Sequence, residues 1–278
     1  MGAGRSGTTL LDIMLGNNPE IFSAGELNRF TEYKGIPVTL DKESKTAIFW
    51  KNFGLGLPAE FRNDQYAAIH KVCRSFEYHS GIIKLGLPLF KKSLEQYKSF
   101  LNMFFRTLDP LVKEQVLVDS SKYPLRGYYL GKFLPNEIAY VYVKRNPLDM
   151  LKSYAKKGIE QPSQGWLMTN LFMFSVNLIC IYVFKKMKKK HRCIIIRFDE
   201  LITEPEQTLN KISRELEIDV SHSKKLIQNK EPFKPGLLFD GNRIRLEKEI
   251  FLKPEKKKTM PAGLKDHISL LFQRVWWN

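Results

Sequence analysis

The sequence predicts an α/β fold in which a central parallel sheet is flanked by layers of helices. Three observations predict it. A glycine-rich segment at residues 2–9 runs directly into a helix-like stretch, and apolar runs at residues 116–118 and 138–143 each end in polar residues that precede further helix-like stretches. Buried strands that alternate with helices in this way are typical of parallel sheets covered on both faces. We expect residues 1–278 to form a single domain.

The composition is that of a folded, basic protein. The 278 residues are 43% hydrophobic and 12% aromatic, which excludes global disorder. The net charge of +16 predicts anionic partners, such as nucleotides, nucleic acid, acidic glycans or membranes, without choosing among them. The three cysteines are too few and too widely spaced for a disulfide framework or a metal site. We therefore expect a reducing compartment and no metal.

The first predicted element is a phosphate-binding loop. Glycines at three positions of residues 2–9 allow backbone angles that side chains disfavour, and a helix is predicted to begin at Thr8. A loop of this kind aims backbone N–H groups and the positive end of the helix at a bound anion. Thr8 and Thr9 add hydroxyl donors, and Arg5 adds a permanent positive charge.

This loop differs from the Walker loop of nucleoside triphosphate enzymes. It fits the pattern G-x-x-x-x-G-K-[ST] except that Thr8 stands at the lysine position. Because that lysine reaches the outer phosphates, its replacement and the presence of Arg5 favour a single 5′-phosphate group. Such loops follow a buried strand, whereas this one starts at residue 2. We expect that this first strand is missing from the sequence, or else that the fold forms without it.

The next predicted strand, Ile21 to Ala24, brings a carboxylate to the same region. Glu26 and Arg29 follow its carboxyl end, the edge at which parallel sheets bind ligands. Glu26 is therefore a candidate general base and Arg29 a candidate anion contact. The alternative for Glu26 is an ordinary exposed glutamate that caps a helix.

Two further predicted strands end at this edge. Residues 116–118 run into Asp-Ser-Ser-Lys122, whose ammonium would stabilise negative charge during group transfer, although Lys122 alone could be a surface lysine. Residues 138–143 run into Arg145, which offers a planar guanidinium to a phosphate, and Asn-Pro then starts a helix. Ser153 lies two turns along that helix as an extra donor.

The second half of the chain contains a long apolar run. Trp166 to Phe184 is followed by a basic segment, but it is too short to span hydrocarbon comfortably and contains Ser175 and Asn177. It predicts a buried helix, so we expect no integral membrane span. The sequence opens without a signal segment, which favours a cytoplasmic protein; a membrane or lumenal form would need further upstream sequence. Cys193 to Leu201 is predicted to be a buried strand.

Two of these segments resemble the donor-binding elements of sulfotransferases that use 3′-phosphoadenosine 5′-phosphosulfate (PAPS). Residues 5–9, Arg-Ser-Gly-Thr-Thr, resemble the 5′-phosphosulfate loop, and a strand followed by Arg145-Asn-Pro and Ser153 resembles the 3′-phosphate-binding element. The resemblance covers nearly the whole chain. Gly-Asn242 with Arg245 downstream resembles the loop that closes over the 3′-phosphate end. Phe198 stands where the family has an aromatic residue, but it lacks a tyrosine hydroxyl.

The resemblance implies a three-layer fold similar to that of P-loop NTPases, and an activity. A sulfuryl group would pass from PAPS to an acceptor hydroxyl on a carbohydrate, a tyrosyl group or a small molecule, without a metal. The product of the donor would be 3′,5′-adenosine bisphosphate. The residues implied to hold the donor are Arg5, Ser6, Gly7, Thr8, Thr9, Arg145, Ser153, Asn242 and Arg245.

The resemblance also implies catalytic roles. The setting of Glu26 resembles the G-E-E-x-R region of tyrosylprotein sulfotransferases, and glycan sulfotransferases also place a glutamate there. Cytosolic small-molecule enzymes typically use a downstream histidine instead. Glu26 would accept the proton of the acceptor, while Lys122 and Arg5 would stabilise charge on the transferring group and on the leaving 5′-phosphate.

Two other functions remain open at the level of sequence. A kinase-like P-loop phosphotransferase would use Asp199 and magnesium, although Thr8 in place of lysine argues against it. A non-catalytic polyanion-binding protein would explain the charge, but not Arg145 and Ser153 in their setting. We expect no specific nucleic-acid partner and an acceptor that the basic charge allows to be anionic. The sequence assigns neither the acceptor nor the oligomeric state.

Overall fold

The computed structural model describes residues 1–39, 41–61, 65–113, 115–155, 165–252 and 259–277. Helices and short parallel strands alternate along the chain, which confirms the predicted α/β class. The elements are α1 (Thr8–Gly16), β1 (Ile21–Gly25), α2 (Lys45–Gly56), α3 (Tyr66–Glu77), α4 (Lys91–Val112), β2 (Val116–Asp119), α5 (Pro124–Phe133), β3 (Tyr140–Lys144), α6 (Pro147–Ala155), α7 (Trp166–Met187), β4 (Cys193–Arg197), α8 (Phe198–Thr203), α9 (Pro205–Leu216), α10 (Ser221–Gln228) and α11 (Leu264–Trp277).

The described strands pair in parallel, but as two pairs. β1 pairs with β2 from Ile21 opposite Val116, and β3 pairs with β4 from Tyr140 opposite Cys193. The single central sheet that the sequence predicts is therefore divided into two pairs in the described residues, and residues of both β2 and β3 line one cavity. The carboxyl ends of β1, β2 and β3 still lead into the loops that carry the predicted site residues.

One predicted strand is shorter than expected. The strand predicted over Cys193 to Leu201 ends at Arg197, and residues 198–203 form α8 instead. Asp199 and Glu200 lie in the first turn of that helix, where negative side chains are stabilised by the positive helix end. The prediction failed here because the apolar residues of this stretch fit either a strand or a short helix.

Two apolar cores hold the layers together. An aromatic core centres on Phe30, whose ring lies 5.1 to 5.2 Å from those of Phe53, Phe104 and Phe239. It lies under α2, α3 and α4. The second core joins α1 and α9 to β3 and β4, with Ile13, Ile196 and Leu209 fully buried. The loops at the carboxyl strand ends are thus anchored from both sides.

The apolar run is a helix, as predicted, and α7 is partly buried. Its length and composition would allow it to cross a membrane, yet 44% of its most apolar window is buried inside the protein. Asn177 is buried and accepts a hydrogen bond of 2.8 Å from Tyr142 of β3. The outer side of its first turns exposes Leu167, Met168 and Leu171. This is the pattern of a helix that packs on one side against the protein.

Candidate functional site

The glycine-rich segment forms a tight loop that enters α1. Gly7, with φ at 99°, and Arg5, with φ at 65°, both adopt left-handed backbone angles. Gly7 also passes so close to Phe198 that a Cβ atom there would meet its ring at 2.0 Å. Only glycine fits this position. α1 starts at Thr8, and the N–H groups of Leu10 and Leu11 donate to the carbonyl oxygen of Gly7 at 3.1 and 3.2 Å. The positive end of the helix therefore faces the loop, where it would favour an anion.

Several buried donors converge on this loop. Among the residues that the structure describes, no hydrogen-bond partner reaches Nε of Arg5, Oγ of Ser6, Oγ1 of Thr8 or Nε of Arg145. Buried polar atoms are seldom left unpaired, because each unmade bond costs about 1–3 kcal/mol. Donors that cluster at a helix N-terminus without partners are what a bound phosphate or sulfate would satisfy. The chemistry of the cradle therefore fits an anionic donor.

Arg145 reaches the loop from the end of β3, as the sequence predicts. Its Nη1 donates a hydrogen bond of 2.8 Å to the carbonyl oxygen of Arg5, and its guanidinium lies 4.5 Å from the ring centre of Phe198. Burial and the neighbouring Arg5 guanidinium lower the pKa of Arg145, although Asp149 and Asp199 oppose this effect. Two cations held this close are stabilised by an anion between them.

The helix that follows Arg145 carries one expected and one unexpected polar group. Ser153 lies in α6, as predicted, and is half-buried. The hydroxyl of its neighbour Tyr154 is buried, and it has no hydrogen-bond partner within the described residues. Burial raises the pKa of Tyr154, an effect that the Arg5 guanidinium opposes, so the phenol stays a hydrogen-bond donor. The sequence motif ends at Ser153 and gives no signal for Tyr154.

The predicted base and the predicted ammonium are in direct contact. Nζ of Lys122 donates a hydrogen bond to Oε1 of Glu26, which is only 6% exposed. Two bonds hold the loops that carry them together: the N–H of Ser120 donates to the carbonyl oxygen of Gly25 at 2.9 Å, and the N–H of Asn28 donates to the hydroxyl of Ser121 at 3.0 Å. Glu26 is thus buried, contrary to the alternative of an exposed cap.

A buried charge network supports the Lys122 loop from below. Arg126 of α5 donates to Asp119 at 2.9 Å and to Glu77 of α3 at 2.7 Å, and Tyr97 of α4 donates to the same Glu77 oxygen. The other oxygen of Asp119 accepts the N–H of Ser121 at 2.8 Å. Burial raises the pKa of Glu77, although Arg126 opposes this effect. The network fixes the turn that presents Lys122.

A polar cleft of about 310 Å³ opens beside the Glu26–Lys122 pair. Arg29, the predicted anion contact, lines this cleft. One of its guanidinium nitrogens forms an ion pair with Glu32 at 2.5 Å. The cleft thus combines cations with carboxylates, and few of its lining residues are apolar. Its lining residues are Arg5, Glu26, Arg29, Tyr33, Val38, Lys122, Asp240, Gly241, Asn242 and Arg245.

The loop of residues 240–245 closes one side of this cleft. The N–H of Asn242 donates to the hydroxyl of Thr9 at 3.0 Å, so this loop rests on the phosphate loop. Arg245 pairs with Asp240 at 2.8 Å and donates to the carbonyl oxygen of Gly241 at 2.6 Å. Asn242 and Arg245 therefore line the cleft that contains Glu26 and Lys122, with much of their hydrogen-bonding capacity used inside the protein.

The described residues contain no group of three or more His, Cys, Asp or Glu side chains that could hold a metal ion. All three cysteines are free, and Cys73 and Cys180 are buried. The cleft and the loop rely on arginine, lysine, hydroxyl and backbone donors. These donors bind anions rather than metal cations.

Comparisons with known proteins give a match to one family model and a similar fold in two solved structures. The model of the sulfotransferase family matches residues 1–222. Two similar solved structures are the sulfotransferase domain from the Synechococcus PCC 7002 olefin synthase, at 15% identity and a TM-score of 0.52, and the sulfotransferase domain from the curacin biosynthetic pathway, at 16% and 0.51. The first alignment covers 100% of this chain and 92% of that domain, the second 97% and 94%. No curated protein matches the chain.

Proposed function

Because the chain belongs to the sulfotransferase family, we propose that it transfers a sulfuryl group from PAPS to an acceptor hydroxyl. One observation carries the proposal: buried donors without partners in the described residues lie at the phosphate loop, on Arg5, Ser6 and Thr8 of the loop and on Arg145, which contacts it. The loop borders the cleft of the Glu26–Lys122 pair through Arg5. The cluster suits an anionic donor, and the pair suits proton removal from an acceptor. We also propose that residues 1–278 form one domain, which alignment of the whole chain with a single domain supports.

The phosphate loop would hold the 5′-phosphosulfate end of the donor. Arg5, Ser6, Thr8 and the N–H groups around Gly7 supply hydrogen bonds, each worth about 1.5–3 kcal/mol when the partner is charged. Thr9 contributes through the first turn of α1 and through its bond to the N–H of Asn242. Thr8 at the lysine position suits one phosphosulfate group rather than a triphosphate.

The 3′-phosphate would lie against the start of α6. Arg145 provides the charge and Ser153 a hydroxyl, and the buried phenol of Tyr154 adds a third donor near Arg5. Asn242 and Arg245 would close over the nucleotide as part of the 240–245 loop, which rests on Thr9 of the phosphate loop and lines the cleft beside Glu26. The bonds of that loop to Thr9 and Asp240 support a role in closure.

The reaction would be an in-line displacement at sulfur. The acceptor oxygen forms a bond to sulfur while the bond from sulfur to the 5′-phosphate oxygen breaks, and the acceptor proton passes to a carboxylate oxygen of Glu26. The negative charge that develops on the leaving 5′-phosphate is stabilised by Lys122 and Arg5. Because Lys122 already contacts Glu26, one ammonium orients the base and lies beside the charge that develops.

The acceptor would be a polar molecule with a hydroxyl group. The cleft beside Glu26 is lined by charged residues, which favours an acceptor that makes several hydrogen bonds; its cations allow the acceptor to be anionic. Carbohydrate, tyrosyl and small-molecule hydroxyls all meet this description. The three free cysteines support a reducing, cytoplasmic location.

Transfer of labelled sulfuryl groups tests this proposal. The purified protein is incubated with PAPS that carries labelled sulfur and with panels of carbohydrates, tyrosyl peptides and small alcohols and phenols. We expect labelled acceptor and an equal amount of 3′,5′-adenosine bisphosphate, without added metal. Magnesium-dependent phosphate transfer from ATP would instead favour a kinase. Failure to release the bisphosphate with every panel, together with no preference for it over 5′-AMP in binding, would overturn the proposal.

A further inference from the structure

The helix α11 exposes a row of apolar side chains. Its buried side packs against α7, where the indole of Trp166 donates a hydrogen bond of 2.9 Å to the hydroxyl of the buried Ser269. Side chains that follow one another at alternating intervals of four and three residues lie on one face of a helix. The apolar residues of α11 at these intervals, each between 44% and 76% exposed, are Leu264, Ile268, Leu271 and Val275.

The helix α7 exposes apolar side chains beside this row. Leu167 and Leu171 are exposed on its outer side, one turn apart. The half-buried rings of Phe174 in α7 and Phe272 in α11 stack with their centres 4.5 Å apart. Each ring lies about one turn after an exposed leucine or isoleucine of its own helix, so the two exposed rows meet at this contact. We call the following exposed residues the apolar face: Leu167, Leu171, Leu264, Ile268, Leu271 and Val275.

Basic side chains border the apolar face. Lys265 and Arg274 are exposed on either side of the α11 row, and the last turn of α7 carries the exposed Lys185 and Lys186. The sequence of α7 contains no acidic residue, and Asp266 of α11 lies on the opposite side of its helix from the exposed row. The face is therefore apolar at its centre and positively charged at its border.

The charge of the protein indicates which partner fits this face. A second copy of the chain would bring together two proteins of net charge +16, with the basic borders of both faces in contact. A surface of anionic lipids instead attracts such borders, because each lysine or arginine near it contributes favourable electrostatic energy. Helices with an apolar face between basic residues lie in the plane of a membrane, with that face buried at the headgroups.

We propose that the apolar face docks the protein on an anionic lipid surface. Leu167 and Leu271 enter the boundary between headgroups and acyl chains, while Lys185 and Lys186 contact the lipid phosphates. α7 lies along the surface and does not cross it, because its other side is buried inside the protein and includes the amide of Asn177. This docking is separate from the donor site and does not depend on sulfuryl transfer.

Sedimentation with lipid vesicles tests the proposal. The purified protein is mixed with vesicles of phosphatidylcholine that contain about 30% phosphatidylserine, or with vesicles of phosphatidylcholine alone, in about 0.1 M salt. We expect the protein to partition at least about tenfold more strongly into the anionic vesicles. About 0.5 M salt should release the bound protein, because it screens the basic border.

Replacement of apolar side chains separates the face from the net charge. Leu167→Ser combined with Leu271→Ser changes two exposed residues and no charge, so the fold should be unaffected. We expect partition into the anionic vesicles to fall at least about tenfold. Ile48→Ser combined with Leu89→Ser is the matched control, because both residues are exposed outside the apolar face. Its partition should equal that of wild type.

Replacement of basic side chains gives an independent readout. Lys185→Gln combined with Lys186→Gln should lower partition into the anionic vesicles by about 10–30-fold, with an unchanged thermal midpoint. Lys45→Gln combined with Lys51→Gln makes the same change in net charge on the exposed side of α2. That control should keep most of the partition of wild type.

Other results would overturn the lipid surface. Equal partition of Leu167→Ser/Leu271→Ser and wild type would mean that net charge alone attracts the protein. A wild-type dimer in sedimentation velocity that these two substitutions dissociate would assign the face to a second copy.

The vesicles also separate docking from the remaining alternatives. Equal partition of wild type into both kinds of vesicle would exclude recognition of anionic lipids. Binding that about 0.5 M salt does not release would indicate a helix that crosses the bilayer. No nucleotide is present in these measurements, so failure of the proposed function would leave their expected results unchanged.

Discussion

Lys122 and Glu26, 96 residues apart in the chain, meet through a hydrogen bond from Nζ to Oε1 at the carboxyl ends of β2 and β1. The contact depends on parallel pairing of these two strands, which brings their ends to one edge. It places a carboxylate and an ammonium beside the phosphate loop, where Arg5 joins them in the lining of one cleft. The proposed reaction needs these three groups in this arrangement.

Glu26→Gln should separate turnover from donor binding. The amide keeps the size of the side chain but accepts a proton poorly, so we expect the rate of sulfuryl transfer to fall by about 10²–10⁴-fold. The affinity for 3′,5′-adenosine bisphosphate should stay within about threefold. Rates come from chromatographic release of the bisphosphate and affinities from calorimetry. Glu32→Gln, at the exposed partner of Arg29, is the matched control. An unchanged rate of sulfuryl transfer in Glu26→Gln would show that Glu26 is not the base.

Tyr154→Phe should weaken the donor site without disturbing the fold. The substitution removes only a buried hydroxyl that has no partner within the described residues. We therefore expect a loss of affinity for the bisphosphate of about 10–150-fold, the value of one hydrogen bond to a charged group, and an unchanged or slightly raised thermal midpoint. Tyr128→Phe, on the half-buried side of α5, is the control. Equal affinity in wild type and Tyr154→Phe would show that the phenol does not touch the donor.

Arg126→Met should destabilise the protein strongly. The guanidinium is buried between Asp119 and Glu77, so its removal leaves two carboxylates without their cation. Breaking a buried pair of this kind costs about 3–5 kcal/mol. The free energy of unfolding in urea measures it.

The control for Arg126 is Arg192→Met. Arg192 pairs with Glu217 at 2.7 Å on a more exposed surface, where its side chain is 38% exposed. Exposed ion pairs contribute about 0–1 kcal/mol to the free energy of unfolding. Similar losses in the two variants would contradict the role of the buried network.

Asp12 should make the stability depend on pH. Its carboxylate accepts the N–H of Gly25 at 3.1 Å and the hydroxyl of Ser23, and burial raises its pKa from 3.8 to about 7. Between pH 4 and pH 7 the unfolded chain has lost this proton while the folded chain keeps it. The free energy of unfolding therefore falls as the pH rises through that range, by about 1.4 kcal/mol for each pKa unit.

Asp12→Asn should abolish the pH dependence that Asp12 causes. The free energy of unfolding of the variant, relative to that of wild type, should therefore increase from pH 4 to pH 8. Asp219 provides the contrast, because hydrogen bonds from Ser221 lower its pKa on an exposed surface. Asp219 stabilises the folded state above the pKa that it has in the unfolded chain. The free energy of unfolding of Asp219→Asn, relative to that of wild type, should therefore not increase from pH 4 to pH 8. Urea titrations of both variants at pH 4, 6 and 8 measure these differences. Parallel pH profiles for Asp12→Asn and wild type would refute the buried acid.

Much of the candidate site could be predicted from local sequence. The loop at residues 2–9, Glu26, Lys122 and Arg145 each follow a short pattern in which a strand or glycine turn leads into a helix. Such patterns place a side chain just after the carboxyl end of a strand or at the start of a helix. Parallel pairing of the strands then brings their carboxyl ends to one edge of the sheet. The strands at β1 and β2 were confirmed on this basis, whereas β3 begins at Tyr140, two residues later than predicted.

Other features depend on contacts that no local pattern contains. Arg126 meets Glu77 from 49 residues away, and Phe198 at the start of α8 packs against Gly7 of the phosphate loop. Tyr154 belongs to the site only because α6 turns its hydroxyl into the interior near Arg5. The shortening of the last strand at Arg197 reflects helix-favouring acidic residues that the apolar pattern concealed.

The central claim is that Arg5 and Arg145 form the donor site. The most direct test of this claim is calorimetric titration with 3′,5′-adenosine bisphosphate. Wild type and Arg145→Ala are titrated with the bisphosphate, with 5′-AMP and with magnesium-ATP, and Arg106→Ala, at an exposed position of α4, serves as the control. We expect wild type to prefer the bisphosphate at least about tenfold, and Arg145→Ala to lose that preference. Equal binding of all three nucleotides to wild type, or an unchanged preference in Arg145→Ala, would contradict the account.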